Sequence, residues 1–261
     1  MRWLSRLETL SGVLRWTLLV LAMFFSGMAD VPRERAPHWV PTNLVEWVAN
    51  NAFYLVPSLL VSVAVLQLLE YRVHRFQARR RLRVLLESVL ERFRDRLLPT
   101  TLRADPPPHH RLTVFKANRR QSKLRIVARS AEPTRGSKTY WRIDPDDQSK
   151  CEGVAGAGWY LDSVITRPGS NESELPDVSG HCTAEEVLDY AKRTWCTPEQ
   201  VRKHRWGARS FAALTIRVKG RRWGVLVLDS VSPQGASTRI RTMYQFAADI
   251  LGDIIEQWST K

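Results

Sequence analysis

The side chains with the most chemical reach gather in the second half of the chain. Cys151, Cys182 and Cys196 are its three cysteines, and His181 and His204 lie near the last two. A zinc site would recruit His181, Cys182, Cys196 and His204, but the two cysteines are separated by 13 residues, without the short-spaced ligand pairs that zinc sites use. The spacing therefore predicts no metal. No Ser-His-Asp order, phosphate-binding glycine loop or paired-carboxylate motif is present, so the reading is of a non-enzyme with no cofactor. An odd, sparse set of cysteines also argues against a disulfide framework and fits a reducing compartment.

What remains is recognition chemistry. The stretch from Trp159 to Ser210 holds Trp159, Tyr160, Trp195 and Trp206, with Arg205, Arg209 and Ser210 at the entry to a strand. Aromatic faces beside guanidinium groups suit a planar, phosphate-bearing ligand. Arg142, two residues before Asp144, serves either as a further anion contact or as an ion-pair partner of that aspartate. The expected ligand-binding set is thus Arg142, Trp159, Trp206, Arg209 and Ser210. The competing reading makes the tryptophans core and lid packing and leaves the arginines solvated.

The elements that must hold these residues come in two kinds. Trp16 to Met28 and Ala52 to Leu69 carry no charge, and Arg72, Arg75, Arg79, Arg80, Arg81 and Arg83 follow the second run. Two spanning helices, about 10–29 and 44–69, are expected, with the arginines retained on the inner side. This places the protein in the bacterial inner (cytoplasmic) membrane with both termini cytoplasmic. Arg15 would snorkel to the inner headgroups. A cleaved signal peptide competes for the first run, with Arg2 and Arg6 as its basic start. Residues 30–40, with Pro32 and Pro37, read as an outer loop, and Trp39 and Trp47 suit the interface. Asn51, Ser58 and Ser62 share one helical face, either for helix–helix contact or as a water-accessible lining in an oligomer.

Net charge is +14 and the isoelectric point about 10.3. A basic chain invites a nucleic-acid reading, but much of the surplus lies beside the second apolar run, where topology or anionic lipid accounts for it. From Arg72 to Leu98 there is neither Gly nor Pro, and Leu82, Leu86, Val89, Phe93 and Leu97 recur at helical spacing, which predicts an amphipathic connector capable of self-association. Pro99 ends it, and Pro106-Pro107-Pro108 makes a stiff linker. The division is 1–71 membrane region, 72–98 connecting helix and 99–261 cytoplasmic domain.

In that domain, Arg111 to Lys116, Lys123 to Arg129, Thr139 to Ile143, Phe211 to Val218 and Trp223 to Asp229 read as strands. Gly153 to Trp159 starts a short helix. Thr183 and Thr197-Pro198 mark two more helix starts. A last amphipathic helix runs from about Thr238 to Trp258, with Ile240, Met243, Phe246, Ala247, Ile250, Ile254 and Trp258 on its buried side.

The hairpin Ser210-Phe211-Ala212-Ala213-Leu214-Thr215-Ile216-Arg217-Val218-Lys219-Gly220-Arg221-Arg222-Trp223-Gly224-Val225-Leu226-Val227-Leu228-Asp229-Ser230 resembles the closing hairpin of a GAF domain. Gly153-Val154-Ala155-Gly156, followed by Trp159, is similar to that family's glycine turn. The resemblance covers about Leu85 to Trp258. It implies an α+β domain with an antiparallel sheet of five to six strands flanked by helices, the helices covering one face and a ligand pocket on the other closed by a loop and a short helix. Relatives bind cyclic nucleotides, bilins, haem, small metabolites or a neighbouring protein. The cyclic-nucleotide signature is missing, and no cysteine lies in a bilin-attachment context. A methionine-sulfoxide-reducing branch uses two cysteines close together around its glycine turn. Here Cys151 precedes the turn but Cys182 is 31 residues on, which leaves Cys151 as an apolar filler.

Two functions are expected from this architecture. One is a membrane-anchored, ligand-gated effector: a GAF-like domain senses a small anionic, nucleotide-like signal and clusters the membrane helices of a homo-oligomer to disturb the bilayer. It resembles bacterial antiphage effectors that couple two membrane helices to a nucleotide sensor. The alternative is a membrane-tethered scaffold whose GAF-like domain docks a protein such as a kinase. Binding of nucleic acid is a weaker third reading.

Overall fold

A computed structural model describes residues 2–29, 41–97, 110–130, 140–166, 175–204, 207–233, 235–236 and 240–259. The outer loop 30–40, the proline linker, Thr139, Arg205 and Trp206 lie outside these residues. The chain divides into two compact units, Met1–Arg80 and Arg81–Lys261.

The first unit contains α1 (Arg2–Ala29) and the greater part of α2 (Thr42–Leu97). Two helices are long and apolar enough to cross a membrane, with windows starting at Leu10 and Asn50. Their apolar side chains point outward: Phe53 is 81% exposed and Trp16 62%. Arg15 Nη1 of α1 lies 3.6 Å from Glu70 Oε2 of α2. The expected snorkelling arginine therefore has a carboxylate partner, which is how ionisable groups persist in apolar segments. Asn51 donates to Trp47 O at 2.8 Å, Ser58 to Leu55 O at 2.8 Å and Ser62 to Ser58 O at 2.8 Å. These groups are satisfied by their own helix, so a span can carry them at little cost. The expected connector is not a separate helix: with no Gly or Pro after Pro57, α2 continues through the arginine cluster without a break.

The second unit is α+β. Among the described residues its strands are β1 (His110–Ala117), β2 (Lys123–Arg129), β3 (Tyr140–Arg142), β4 (Ser163–Thr166), β5 (Ser210–Val218) and β6 (Arg221–Ser230). They form one sheet in the order β3-β2-β1-β6-β5-β4, antiparallel throughout. The helices are α3 (Gly153–Leu161), α4 (Ala184–Arg193), α5 (Pro198–His204) and α6 (Ile240–Ser259). Helices cover both faces, because the central strands are apolar on both. Ala212, Leu214, Leu226 and Leu228 join Leu86 and Leu90 of α2 and Tyr244 and Leu251 of α6. Phe211, Ala213, Val225 and Val227 join Trp159 of α3 and Tyr190 of α4. The period of two along each strand sends alternate residues to the two cores.

Small residues set the fit of α3. A Cβ on Gly158 would lie 2.5 Å from that of Ala213, and Thr215 Oγ1 donates to Gly158 O at 2.9 Å. The helix thus docks by close backbone approach plus one buried hydrogen bond. Thr183 caps α4 with a capping box completed by Glu186. Lys219 and Gly220, both at positive φ, close the β5–β6 hairpin as a two-residue turn.

The buried side of α6 overlaps the expected one at Ala247 and Ile254 and otherwise differs from it. Tyr244, Ala247, Ala248, Leu251 and Ile255 face the sheet, whereas Met243 is 50% and Phe246 63% exposed. The helix is apolar around more than half its circumference, so periodicity alone selects two stripes. The stripe rich in small residues is the one that fits closely over the sheet.

Candidate functional site

An open groove of about 970 Å³ lies at the β3 edge of the sheet. Two loops shape it, and the first is pinned by its own side chains. Asp147 Oδ1 accepts from Ser149 N at 3.0 Å and from Ser149 Oγ at 2.7 Å, starting a single 3-10 turn over Gln148–Lys150. Lys150 Nζ reaches Asp147 Oδ2 at 3.1 Å and Asp144 Oδ2 at 3.7 Å. Hydrogen bonds from Ser149, then the Lys150 ammonium, hold the Asp147 carboxyl below its ordinary range. The same aspartate holds Lys150 above its own. Cys151 is buried. Its thiol donates to Asp144 O at 3.4 Å and accepts from Asp144 N at 3.4 Å.

The second loop is the turn after α4. Thr194 Oγ1 donates to Tyr190 O at 2.7 Å, Trp195 adopts φ 55°, and Cys196 N donates to Ala191 O at 3.0 Å. Gly153 joins the two loops. Its N–H donates to Trp195 O at 2.6 Å. Its φ of 67° and the Trp141 ring, 2.8 Å from any added Cβ, leave room for glycine only.

Lys123, Arg142 and Lys150 line the groove together with Asp144 and Glu152, so its charge is close to balanced. Arg142 pairs with Glu152 (Nε to Oε1, 3.8 Å) rather than with Asp144, and is 68% exposed at its side chain. Trp195, Cys196 and Thr197 form the opposite wall. Burial pushes the Cys196 thiol up to about 11, and burial also raises Cys151. Both thiols are protonated near neutrality and are poor nucleophiles. The groove is equipped to hold a polar molecule by ion pairing and to press it against an indole.

The expected ligand residues are dispersed. Arg142 lies in the groove. Trp159, within α3, is fully buried, and its Nε1 has no hydrogen-bond partner among the described residues. Arg209 is half-buried, with Nε donating to Leu175 O at 3.4 Å. Ser210 is buried; its hydroxyl donates to Ser232 O at 2.7 Å and accepts from Ala236 N at 3.1 Å. Arg209 and Ser210 stand at the end of the sheet where β1 begins, because Ser210 and His110 both register with Ser230. Arg142 stands at the opposite end, beside Lys123. Trp206 is outside the described residues. Lys123, Lys150, Glu152 and Trp195 were not singled out as a set by the sequence. The visible signal was Asp147-Gln148-Ser149, an aspartate two residues before a serine, which predicts a self-bonded loop.

No protein-family model matches the chain, and no curated protein matches it. Solved structures similar in chain path include the GAF domain region of a putative membrane protein from Geobacter sulfurreducens PCA, at 15% identity and a TM-score of 0.43, covering 70% of this chain and 98% of that one. Residues 122 to 287 of a methyl-accepting chemotaxis protein match at 18% identity and 0.40, covering 69% and 91%. The type II free methionine-R-sulfoxide reductase of Thermoplasma acidophilum matches at 15% and 0.38, covering 69% and 96%. At such identities and TM-scores, these neighbours assign neither ligand nor reaction to this chain.

Proposed function

We propose that the protein is a membrane-anchored sensor, with a GAF-like cytoplasmic domain that takes a small anionic, nucleotide-like ligand in the groove beside Arg142. The observation that carries this reading is α2. One uninterrupted helix holds the second apolar run, the arginine cluster, and Leu86 and Leu90 of the domain core. The two apolar helices cross the inner membrane, the arginines stay inside, and both termini are cytoplasmic. In the groove, Arg142 and Lys150 exchange their intramolecular carboxylates for the ligand's charge, and Trp195 offers an apolar surface. Release of Glu152, which also accepts from Arg142 N at 3.2 Å, loosens the start of α3 and through it the sheet. Self-association of α2 then clusters the membrane helices and disturbs the bilayer, as in the antiphage effectors the architecture resembles.

The test is a thermal-shift screen of the full chain in detergent against nucleotides and other small anions. A ligand at about 100 times its Kd adds roughly 2.7 kcal/mol. The shift should vanish in Arg142→Ala and Lys150→Ala. Absence of any shift across the screen counts against the reading.

A second reading is a scaffold that docks a protein. Met243 and Phe246, exposed on α6 with the half-buried Ile250 beside them, favour it. Co-purification of one protein in fixed ratio, lost on Phe246→Ser, would select it.

A further inference from the structure

Strand register places cations across one end of the sheet. Arg142 of β3 pairs with Lys123 of β2, Arg125 of β2 with Lys116 of β1, Lys116 with Gly224 of β6, and Arg222 of β6 with Arg217 of β5. Five neighbouring strands therefore each carry a basic residue at the same end, a row about 19 Å wide at ~4.8 Å between strands. The two turns at this end add Arg119, Arg120, Lys219 and Arg221, all exposed.

Most acids at this end are already engaged, Asp144 and Asp147 by Lys150. Asp162 binds both Arg217 (3.0 Å) and Arg222 (3.2 Å). Glu152 holds Arg142. Glu256 accepts from the Lys219 backbone, not its ammonium. Arg119, Arg120 and Arg221 make no ion pair among the described residues. Like charges crowded on one surface repel each other, and a facing layer of negative charge relieves that cost.

We infer that this end of the domain is a docking surface for anionic lipid headgroups. The inference rests on the membrane reading proposed above. Two observations favour a bilayer over a nucleic acid. The cations spread over the end of a sheet and its turns, a broad surface rather than a cleft that tracks one strand. Outside the groove that holds Trp195, two rings at this end already carry a lysine: Lys116 Nζ sits 5.0 Å from the Trp223 ring centre and Lys123 Nζ 4.9 Å from that of Tyr140. Single-stranded nucleic acid needs open ring faces for its bases. Anionic headgroups need only charge, and basic residues near such a surface are attracted with salt-sensitive strength.

The test reconstitutes the full chain into lipid nanodiscs, either of phosphatidylcholine alone or mixed with phosphatidylglycerol, and follows amide hydrogen exchange. Residues 118–122 and 219–222 should exchange roughly tenfold more slowly in the anionic discs. High salt, or Arg119→Glu with Arg221→Glu, should remove that slowing and leave exchange of Phe211–Ile216 and Val225–Asp229 in the β5–β6 ladder unchanged. Equal exchange of both turns in the two kinds of disc overturns the inference while leaving the membrane reading intact. Protection by added RNA in neutral discs, with none from anionic lipid, overturns it in favour of nucleic acid. A chain that enters neither disc overturns the membrane reading and this surface with it.

Discussion

Cys196 and Gly158 show how single positions constrain what this domain can do. Cys196 lines the groove, yet burial raises its thiol to about 11. In the folded protein it stays protonated while an unfolded chain ionises near 8.5. That difference favours the unfolded state as pH rises from about 8.5 to about 11, and it costs nothing below. Iodoacetamide labelling of Cys196, followed by mass spectrometry, should therefore reach half its maximal rate near pH 11. A midpoint near 8.5 would mean that the thiol is solvated and not buried, and one well below 8.5 would place a reactive thiolate in the groove. At Gly158 the constraint is steric. Gly158→Ala puts a methyl 2.5 Å from that of Ala213, and overpacking of this kind costs about 1–3 kcal/mol. Denaturant unfolding should show that loss without a change in slope.

At the level of elements, β1, β2, β5, β6 and the start of α4 were legible in the sequence. Their alternating apolar residues and their caps are local signals. Three features were not. β4 is only Ser163–Thr166, too short for a period and held by its pairing to β5. The buried face of α6 depends on which stripe fits the sheet, a property of the partner surface and not of the helix. The grouping of Arg142 with Lys150 and Trp195 depends on long-range contacts such as Gly153 to Trp195, which no local pattern encodes. The α6 assignment is checked by two substitutions. Leu251→Ala should cost about 2–5 kcal/mol as a core truncation, and Phe246→Ser less than about 0.5 kcal/mol as a surface change. The reverse order would restore the face the periodicity favours. In the first unit, Arg15→Glu should lower thermal stability in detergent, and adding Glu70→Arg should restore it. Independent effects of the two changes would show that the 3.6 Å pair carries no coupling.

For the whole molecule, the arrangement of charge and apolar surface matters more than any one site. The net charge of +14 is carried partly by the arginines of α2 and partly by one end of the sheet. The apolar side chains of α1 and α2 are exposed along both candidate membrane spans. On the reading proposed above, a bilayer takes both, the helices in its core and the cations at its anionic face. Washing cell membranes with alkaline carbonate and pelleting them by ultracentrifugation puts this to the question. The full chain should stay in the pellet and leave it only with detergent. Recovery of intact protein in the carbonate supernatant would mean that α1 and α2 do not span a membrane.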